Sequence, residues 1–557
     1  MTTLGQQNWI IPEISSPPVG ELAATILRQR GFSEAEFLNV PYARLGDPFL
    51  LPDMQAAVDH LIGVKRAGRR VVVYGDYDID GLTATTMMVE ALRKFGLKVE
   101  SYIPDRFVEG YGLHAAALME LQQSGVDTVV TVDCGISAVG PIAEAAQAGL
   151  HMIITDHHTV PEVEPTGAVA MINPLRAGND YPERSLAGVG VAFALVRALQ
   201  QADPTWLPVG QEKWLLDLVA LGTVCDVVPL LGENRLLAYY GLQVARQSRR
   251  PGFRSLAEVS SVDLQRLGAQ DFGFKFGPRL NAAGRLEHAR TALQLLMSEE
   301  ITEARELARR LDTLNAERRE LTAKIVDEAR AQASEYLDDP IFVLSGSEWS
   351  HGVAGLVASR LAEEFGRPTI ILNEEGEFSK GSARSSGVFR LIDALRAQDG
   401  LFEKYGGHAA AAGMTIRTEN ISRLRKALIA SIDDEALEAM ALEVKLDMPI
   451  AGDYLSTEGL DQLAELEPFG QGHEVPLFYY RGQIDGIRWV GRDETHGQVM
   501  FRIDGRQVRA IAFSARQKWP FLEGSDEVEL ALRLRAGEWQ GVVRPDLEVV
   551  YAREYRK

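Results

Sequence analysis

Four acidic clusters stand at the ends of apolar runs, each read as a strand end, and their residue types suit metal-dependent hydrolysis. After RVVVYG (Arg70–Gly75) come Asp76, Asp78 and Asp80, alternating, with Gly81 behind them. After the run beginning at Asp127 comes Asp133, and after LHMIIT come Asp156, His157 and His158. The segment LVALGTVCDVVPL places Asp226 at the end of a further apolar stretch. Alternating carboxylates in an extended turn point two groups one way and the third the other. With Asp133, His157 and Asp226 converging on them, two divalent cations have enough ligands. Mixed Asp/His ligation suits Mn²⁺, or Mg²⁺, better than a Cys-rich zinc site does. Such a pair of ions activates water and clamps the attacking and leaving oxygens of a phosphoryl displacement.

Each cluster alone has a blander reading. A single Asp at a strand end is commonly a cap or turn residue, and two adjacent histidines are commonly surface groups or a satisfied core pair. Taken together, carboxylates packed without cations cost several kcal/mol in repulsion and desolvation. The set therefore points to a metal centre.

The elements that must position these residues are short β-branched strands alternating with helices. Strands are expected at Arg70–Gly75, Leu97–Pro104, Asp127–Asp133, Leu150–Asp156 and Ala168–Asn173. They are continuous apolar runs, the pattern of a parallel sheet covered on both faces. The fold class is α/β with a doubly wound, mostly parallel sheet, and ligands of such sheets bind beyond the carboxyl ends of the strands. A long charged helix is expected over Ile301–Tyr336, with Leu307, Leu311, Leu314, Leu321 and Ile325 as its apolar stripe and Arg318 in the gap. It either packs on its neighbours or also serves as an arm between domains. A second α/β unit opens at Pro340–Gly346, with a helix from Val353 to Phe365. From Lys445 onwards, short alternating segments with Gly-containing turns suggest a small β-barrel. The expected division is an N-terminal extension of short helices and turns (1–50), a catalytic domain (51–300), a connecting helix (301–338), a second α/β domain (339–440) and an OB-like domain (445–557).

The chain's 557 residues carry 58 Lys+Arg against 78 Asp+Glu, a formal charge of −20. That balance argues against a polycation that coats nucleic acid. Residues 475–557 depart from it, with 14 Lys+Arg against 12 Asp+Glu. Local arginines and metal ions, rather than a basic face, would have to hold a nucleic acid. The two cysteines, Cys134 and Cys225, form no CxxC pair and suit a reducing, cytoplasmic setting. The N-terminus lacks the pattern of a signal peptide. The most apolar stretch, Ala187–Val196, is too short to span a bilayer, so no membrane association is expected.

Several segments together resemble a known family. VYGDYDIDGLTAT, VTVDCGIS, ITDHH and CDVVPL are similar to the four motifs of the DHH phosphoesterase superfamily. SEWSHGVAGLVASRL (Ser347–Leu361), KGSARS (Lys380–Ser385) and GGHAAAAG (Gly406–Gly413) resemble its associated domain. The motif order, the long helix, GPRLNAAGRL (Gly277–Leu286) and the terminal barrel resemble one branch, the bacterial single-strand-specific 5′→3′ DNA exonucleases. The likeness runs from Trp9 to the barrel, and the combination is far more specific than any one motif.

The resemblance implies roles. Asp78, Asp80, Asp133, His157 and Asp226 would hold two divalent ions, with Asp133 bridging them and Asp76 a further ligand or a supporting acceptor. Asp156 would orient the histidines, and His158 would contact the scissile phosphate. Arg106, and Ser382 with Arg384 in a Gly/Ser turn, would grip the 5′ end of a strand. Arg279, Arg285 and Asn281 would line a narrow passage, and His351 and His408 the nucleic-acid groove. Each has an alternative: Arg106 paired with Asp105 or Glu109, the 277–286 arginines in a loop paired with acidic neighbours, and the two histidines as packed groups. In the barrel, Trp489, Phe501, Phe513 and Trp519 are candidates for base stacking, more than half of them expected in the core.

The expected function is metal-dependent exonuclease action on single-stranded DNA with a 5′ end, releasing 5′-mononucleotides in repair and recombination. A single-strand-binding protein and a helicase are the implied partners, and nothing demands more than a monomer. One alternative is a phosphodiesterase for short oligonucleotides or cyclic dinucleotides, whose enzymes in this superfamily tend to be shorter and to lack the barrel. A non-catalytic DNA-binding relative is the other, and the intact carboxylate set disfavours it.

Overall fold

The computed structural model describes residues 8–110, 112–385, 389–407, 409–432, 443–525, 527–539 and 542–555. They fall into two compact units, Pro41–Glu320 with Pro468–Glu474, and Met1–Val40 with Leu321–Glu467 and Val475–Lys557.

Strand β1 (Asn8–Ile10) belongs to the second unit. The first unit is built on β2 (Arg70–Gly75), β3 (Lys98–Tyr102), β4 (Thr128–Val132), β5 (His151–Thr155) and β6 (Ala170–Ile172). All are parallel, in the order β3-β2-β4-β5-β6. The chain runs outward from β2 to β3 and then returns to β4 on the other side. The strand order thus reverses between β2 and β4, where a crevice opens at the carboxyl edge. Val72, Val129, Met152 and Ile154 pack with Leu118, Ile142 and Ala145 of two covering helices.

Three further helices of the unit frame the acidic residues. Ile79–Phe95 is buried along almost its whole length, as is Gly188–Ala202. Leu216–Cys225 is apolar all round and accordingly buried, with Asp226 as its C-cap. Asp226 therefore ends a helix, whereas the sequence placed each acidic cluster at a strand end. A ten-residue apolar run cannot be assigned to strand or helix by periodicity alone.

A 33-residue helix, Ile301–Ala333, continues as a 3₁₀ turn over Ser334–Tyr336. Ala304, Ala308, Leu311, Leu314, Ile325, Val326 and Ala329 form its buried stripe. In the gap, Arg318 donates to Asn315 at 2.9 Å.

In the second unit, β7 (Phe342–Gly346), β8 (Thr369–Glu375), β9 (Phe378–Arg384), β10 (Phe402–Gly407) and β11 (Ala411–Arg417) form a sheet ordered β10-β11-β9-β8-β7. Only β7 and β8 are parallel. β12 (Glu443–Lys445) pairs with β1, a contact absent from the sequence reading of the first fifty residues as helices and turns. Trp9 is buried there against Val444, Leu446 and Ala531. The C-terminal strands are β13 (Met448–Pro449), β14 (Phe478–Gly482), β15 (Ile484–Val490), β16 (His496–Ile503), β17 (Arg506–Ala512), β18 (Val528–Trp539) and β19 (Val542–Glu554). They form one sheet ordered β13-β14-β18-β19-β17-β16-β15. Among the described residues no helix is long and apolar enough to cross a membrane.

Candidate metal centre

The reversal point between β2 and β4 carries the acidic residues. Asp78 caps the helix Ile79–Phe95, accepting from Gly81 N at 3.1 Å. Asp80, in the first turn, accepts from Gly188 N at 2.6 Å and Val189 N at 2.9 Å. A second helix N-terminus thus receives this carboxylate, a favourable place for negative charge. Asp133 follows β4 in a left-handed conformation, φ 60°, anchored by its N–H to Thr155 O at 3.0 Å. Such a conformation costs about 1–3 kcal/mol in a non-glycine residue and persists only where its surroundings enforce it.

The histidines follow β5. His157 Nε2 lies 3.2 Å from Asp133 Oδ1, 3.7 Å from Asp226 Oδ2 and 3.9 Å from Asp80 Oδ2. His158 Nδ1 bonds Asp156 Oδ1 at 2.8 Å. The same Asp156 carboxylate accepts from the N–H groups of Ile136, His157 and His158. Asp76, Asp78 and Asp133 form one potential ligand group, Asp80, His157 and Asp226 a second, and Asp133, His157 and His158 a third. Asp133 and His157 each belong to two of them, so the structure brings the predicted ligands into one shared cluster.

The electrostatics call for cations. Burial first, and neighbouring carboxylates second, raise Asp76, Asp80 and Asp133 well above the ordinary carboxylate range. The same causes, with Asp78 as the neighbour, push Asp226 up to about 7. Asp76 Oδ1, Asp133 Oδ1 and Asp226 Oδ2 are buried and accept no hydrogen bond. Buried carboxylate oxygens without donors are costly unless a metal takes that place. Burial, then the adjacent His158, push His157 down to about 4, leaving a neutral imidazole able to ligate. For Asp156 burial is opposed by the His158 bond, and the bond wins, so its carboxyl is held below its ordinary value. Burial likewise opposes the charge on His158, but Asp156 pushes it up to about 9.

Beside the cluster lies a cavity of about 250 Å³ lined by Tyr77, Asp78, Arg106, Asp226, Asn281 and Arg285, among others. Arg106 lies over the Tyr77 ring, 5.2 Å from its centre. Asp105 accepts from Phe107 N and Val108 N, and Glu109 from Asp105 N and the Tyr102 hydroxyl. These two acids are engaged by backbone and hydroxyl groups. Gly277–Leu286 is a helix rather than the loop considered from sequence. Asn281 and Arg285, four apart, share its cavity face. Arg279 does not join them: it pairs with Asp312 at 2.9 Å and donates to Lys275 O at 2.8 Å.

Comparison with known proteins adds to this geometry. The profile of the DHH family, N-terminal domain, matches residues 70–223, that of the DHHA1 domain 338–434, and that of the RecJ OB domain 446–551. The single-stranded-DNA-specific exonuclease RecJ of Escherichia coli is 38% identical over 516 residues, 88% of each chain. That of Bacillus subtilis is 36% identical over 537 residues, 95% of this chain and 67% of the relative. The chain belongs to the RecJ family. The crystal structure of RecJ from Thermus thermophilus in complex with Mn²⁺ is similar over 100% of this chain and 81% of that one, with 31% identity and a TM-score of 0.84. Its counterpart in complex with Mg²⁺ has a TM-score of 0.78 at 30% identity, over 99% and 79%. The RecJ relatives thus take the two ions that the donor set here favours, and the donor-free oxygens of Asp76, Asp133 and Asp226 fit such ions.

In this RecJ-family chain the remaining predicted residues lie in the second unit. Ser382 and Arg384 sit not in a turn but in β9, inside an antiparallel ladder with β8 and β11. A Cβ on Gly381 would come within 2.1 Å of Ile371 O, so that glycine serves close strand approach rather than a turn. Arg384 donates to Ala383 O at 2.8 Å, and its guanidinium lies against Gly355 of the helix His351–Phe365. His351 is the first residue of that helix. His408 lies outside the described residues, and the glycines and alanines on either side of it contribute to β10 and β11. Sequence reasoning missed Gly188 and Gly222. A Cβ on Gly188 would meet Asp133 Oδ1 at 2.6 Å, and one on Gly222 would meet Asp80 Oδ1 at 3.0 Å. Glycines inside apolar helical runs were the available signal.

Proposed function

We propose that the chain is a single-stranded-DNA-specific exonuclease that hydrolyses phosphodiesters stepwise from a 5′ end, releasing 5′-mononucleotides. The observation that carries this is the shared cluster of Asp76, Asp78, Asp80, Asp133, His157 and Asp226, with donor-free buried oxygens, beside the cavity holding Arg106 and Asn281. Two Mn²⁺ or Mg²⁺ ions held by those residues would supply the Lewis acidity that makes water nucleophilic and offsets the charge of the phosphate.

The protein's own groups do the rest. Asp156, fixed by three backbone N–H groups, favours the protonated form of His158 through their hydrogen bond. A cationic imidazole is suited to a phosphate that gains charge as its bond breaks. Arg106 and Asn281 offer donors to the backbone of a strand in the cavity. In the second unit, Ser382, Arg384, His351 and His408 are assigned to strand and 5′-end binding, and Arg279 to a supporting place near the passage. The C-terminal sheet, matched by the RecJ OB domain, supports single-strand binding.

The reading extends to a cytoplasmic monomer acting in repair and recombination, supplied with strands by a helicase and a single-strand-binding protein. It keeps the division at 1–50, 51–300, 301–338, 339–440 and 445–557. The test is digestion of DNA labelled at either end, single- or double-stranded, with and without EDTA. Metal-dependent loss of the 5′ label from single strands is expected. Equal attack from the 3′ end, or full activity in Asp133→Ala, would overturn the reading.

A further inference from the structure

Strand β4 is bracketed by two aspartates. Asp133 serves the metal centre, while Asp127 stands at the opposite edge of the sheet, about 20 Å away at about 3.3 Å per residue. Two histidines meet Asp127 there. His151 opens β5, in register with Thr128, and His60 projects from the helix Met54–Ala67.

One atom from each of His60, Asp127 and His151 lies within 4.8 Å of the other two. His151 Nδ1 is 3.7 Å from Asp127 Oδ2. His60 Nε2 is 2.9 Å from Thr128 Oγ1, which itself donates to Asp127 Oδ2 at 2.8 Å. The imidazole centres are 5.0 Å apart, tilted by 45°. Arg69 Nη1 bonds the other oxygen, Asp127 Oδ1, at 2.7 Å and so turns Oδ2 toward the imidazoles. A carboxylate ligand anchored through its second oxygen is a usual feature of built metal sites. Ligands about 2.0–2.1 Å from a tetrahedral ion stand about 3.3 Å apart, so closure needs small side-chain movements. The His151 side chain is 42% exposed, which leaves an entry path and a place for water.

We propose that His60, Asp127 and His151 form a second site, separate from the catalytic centre, for a borderline transition-metal dication such as Zn²⁺. Two imidazole nitrogens with one carboxylate oxygen select this class over Mg²⁺ or Ca²⁺, which prefer all-oxygen shells. The three ligands come from a helix, a strand and the residue preceding another strand. An ion here ties the helix Met54–Ala67 to the amino edge of the sheet, and the fourth position stays with solvent. Without an ion, the cluster is an Arg69–Asp127 ion pair beside two hydrogen-bonded imidazoles, His60 Nε2 with Thr128 Oγ1 and His151 Nδ1 with Asp127 O at 3.2 Å, bonds that an ion would replace.

The test is calorimetric titration of Zn²⁺ into the full, EDTA-stripped chain in excess Mg²⁺, beside the double variant His60→Gln/His151→Gln. The variant should bind one equivalent fewer and keep its Mg²⁺-supported exonuclease rate. Equal stoichiometry overturns the proposal, and so does an equivalent lost together with that activity, since the ion would then belong to the catalytic centre. Should the double variant not fold, His151→Gln alone is compared with the unaltered chain by Cu²⁺ electron paramagnetic resonance. Loss of one nitrogen's splitting is expected, and an unchanged spectrum overturns the proposal.

Discussion

A Cβ on Gly188 would lie 2.6 Å from Asp133 Oδ1 and 2.7 Å from Asp133 Cβ. The first turn of the helix Gly188–Ala202 therefore presses directly on the residue shared between two ligand groups. Gly188 also donates its N–H to Asp80 at 2.6 Å. One glycine thus touches both carboxylates: its N–H holds Asp80, and its missing side chain leaves room for Asp133.

Gly188→Ala should accordingly weaken metal binding without unfolding the protein. Displacing supporting groups around a metal costs about 10- to 100-fold in affinity or activity. The expected result is a Mn²⁺ activation curve shifted by that factor, with a cooperative melt retained. An unchanged curve would show that Asp133 tolerates the methyl group.

How much of this was legible in the sequence differs by residue. Asp76, Asp133 and Asp156 were readable because each ends an apolar strand, and strand ends are visible as a change in residue type. Asp226 was found, but on the wrong element, because an all-round apolar run hides the helical period. Ser382 and Arg384 were misplaced because glycine and serine between polar residues read as a turn, whereas Gly381 serves close strand approach. β1 escaped notice because its three residues have meaning only beside Glu443–Lys445. Gly188 could be read as a glycine inside an apolar helical run, but its tie to Asp133, distant in the chain, could not.

Metal removal should set the sign of the pH dependence of stability. Asp76, Asp80, Asp133 and Asp226 have folded-state values raised above their unfolded ones, Asp226 to about 7. Such groups bind protons more tightly when folded, so their stabilisation is complete below about pH 4 and is lost as pH rises through the folded values. The EDTA-stripped protein should therefore melt progressively lower between about pH 5 and pH 8. Saturating Mn²⁺ should abolish or reverse that slope, because a cation favours the ionised carboxylates. Melting midpoints across this range, with and without Mn²⁺, decide the matter; parallel curves would contradict it.

Arg106 and Arg279 should separate cleanly. Arg106 lines the cavity beside Asp78 and Asp226, whereas Arg279 is engaged with Asp312 and Lys275 O. Arg106→Ala should raise KM for single-stranded DNA and reduce the slope of log affinity against log salt by about 0.7, the share of one phosphate. Arg279→Ala should leave both nearly unchanged and cost about 1 kcal/mol in stability, since the Asp312 left behind is half-exposed and can turn to water. A salt slope altered equally by both would place Arg279 on the strand as well.

The C-terminal sheet divides its aromatic residues in the same way. Phe501 and Trp519 are buried, so their rings belong to the core. Phe513 is 41% exposed, with the Arg535 guanidinium 5.8 Å from its ring centre, and Trp489 is half-buried, with that of Arg516 at 4.9 Å. An accessible ring beside a guanidinium suits a stacked base next to its phosphate. Trp489→Ala should weaken binding of a long single strand by about 1–3 kcal/mol and leave the melting midpoint in place. Phe501→Ala should do the opposite, costing about 3–5 kcal/mol of folding stability by opening a cavity in the core. Trp489→Ala should also spare the hydrolysis of very short oligonucleotides, because Trp489 belongs to the C-terminal sheet and none of the predicted metal ligands does. Loss of activity on short and long strands alike would assign Trp489 a structural role instead.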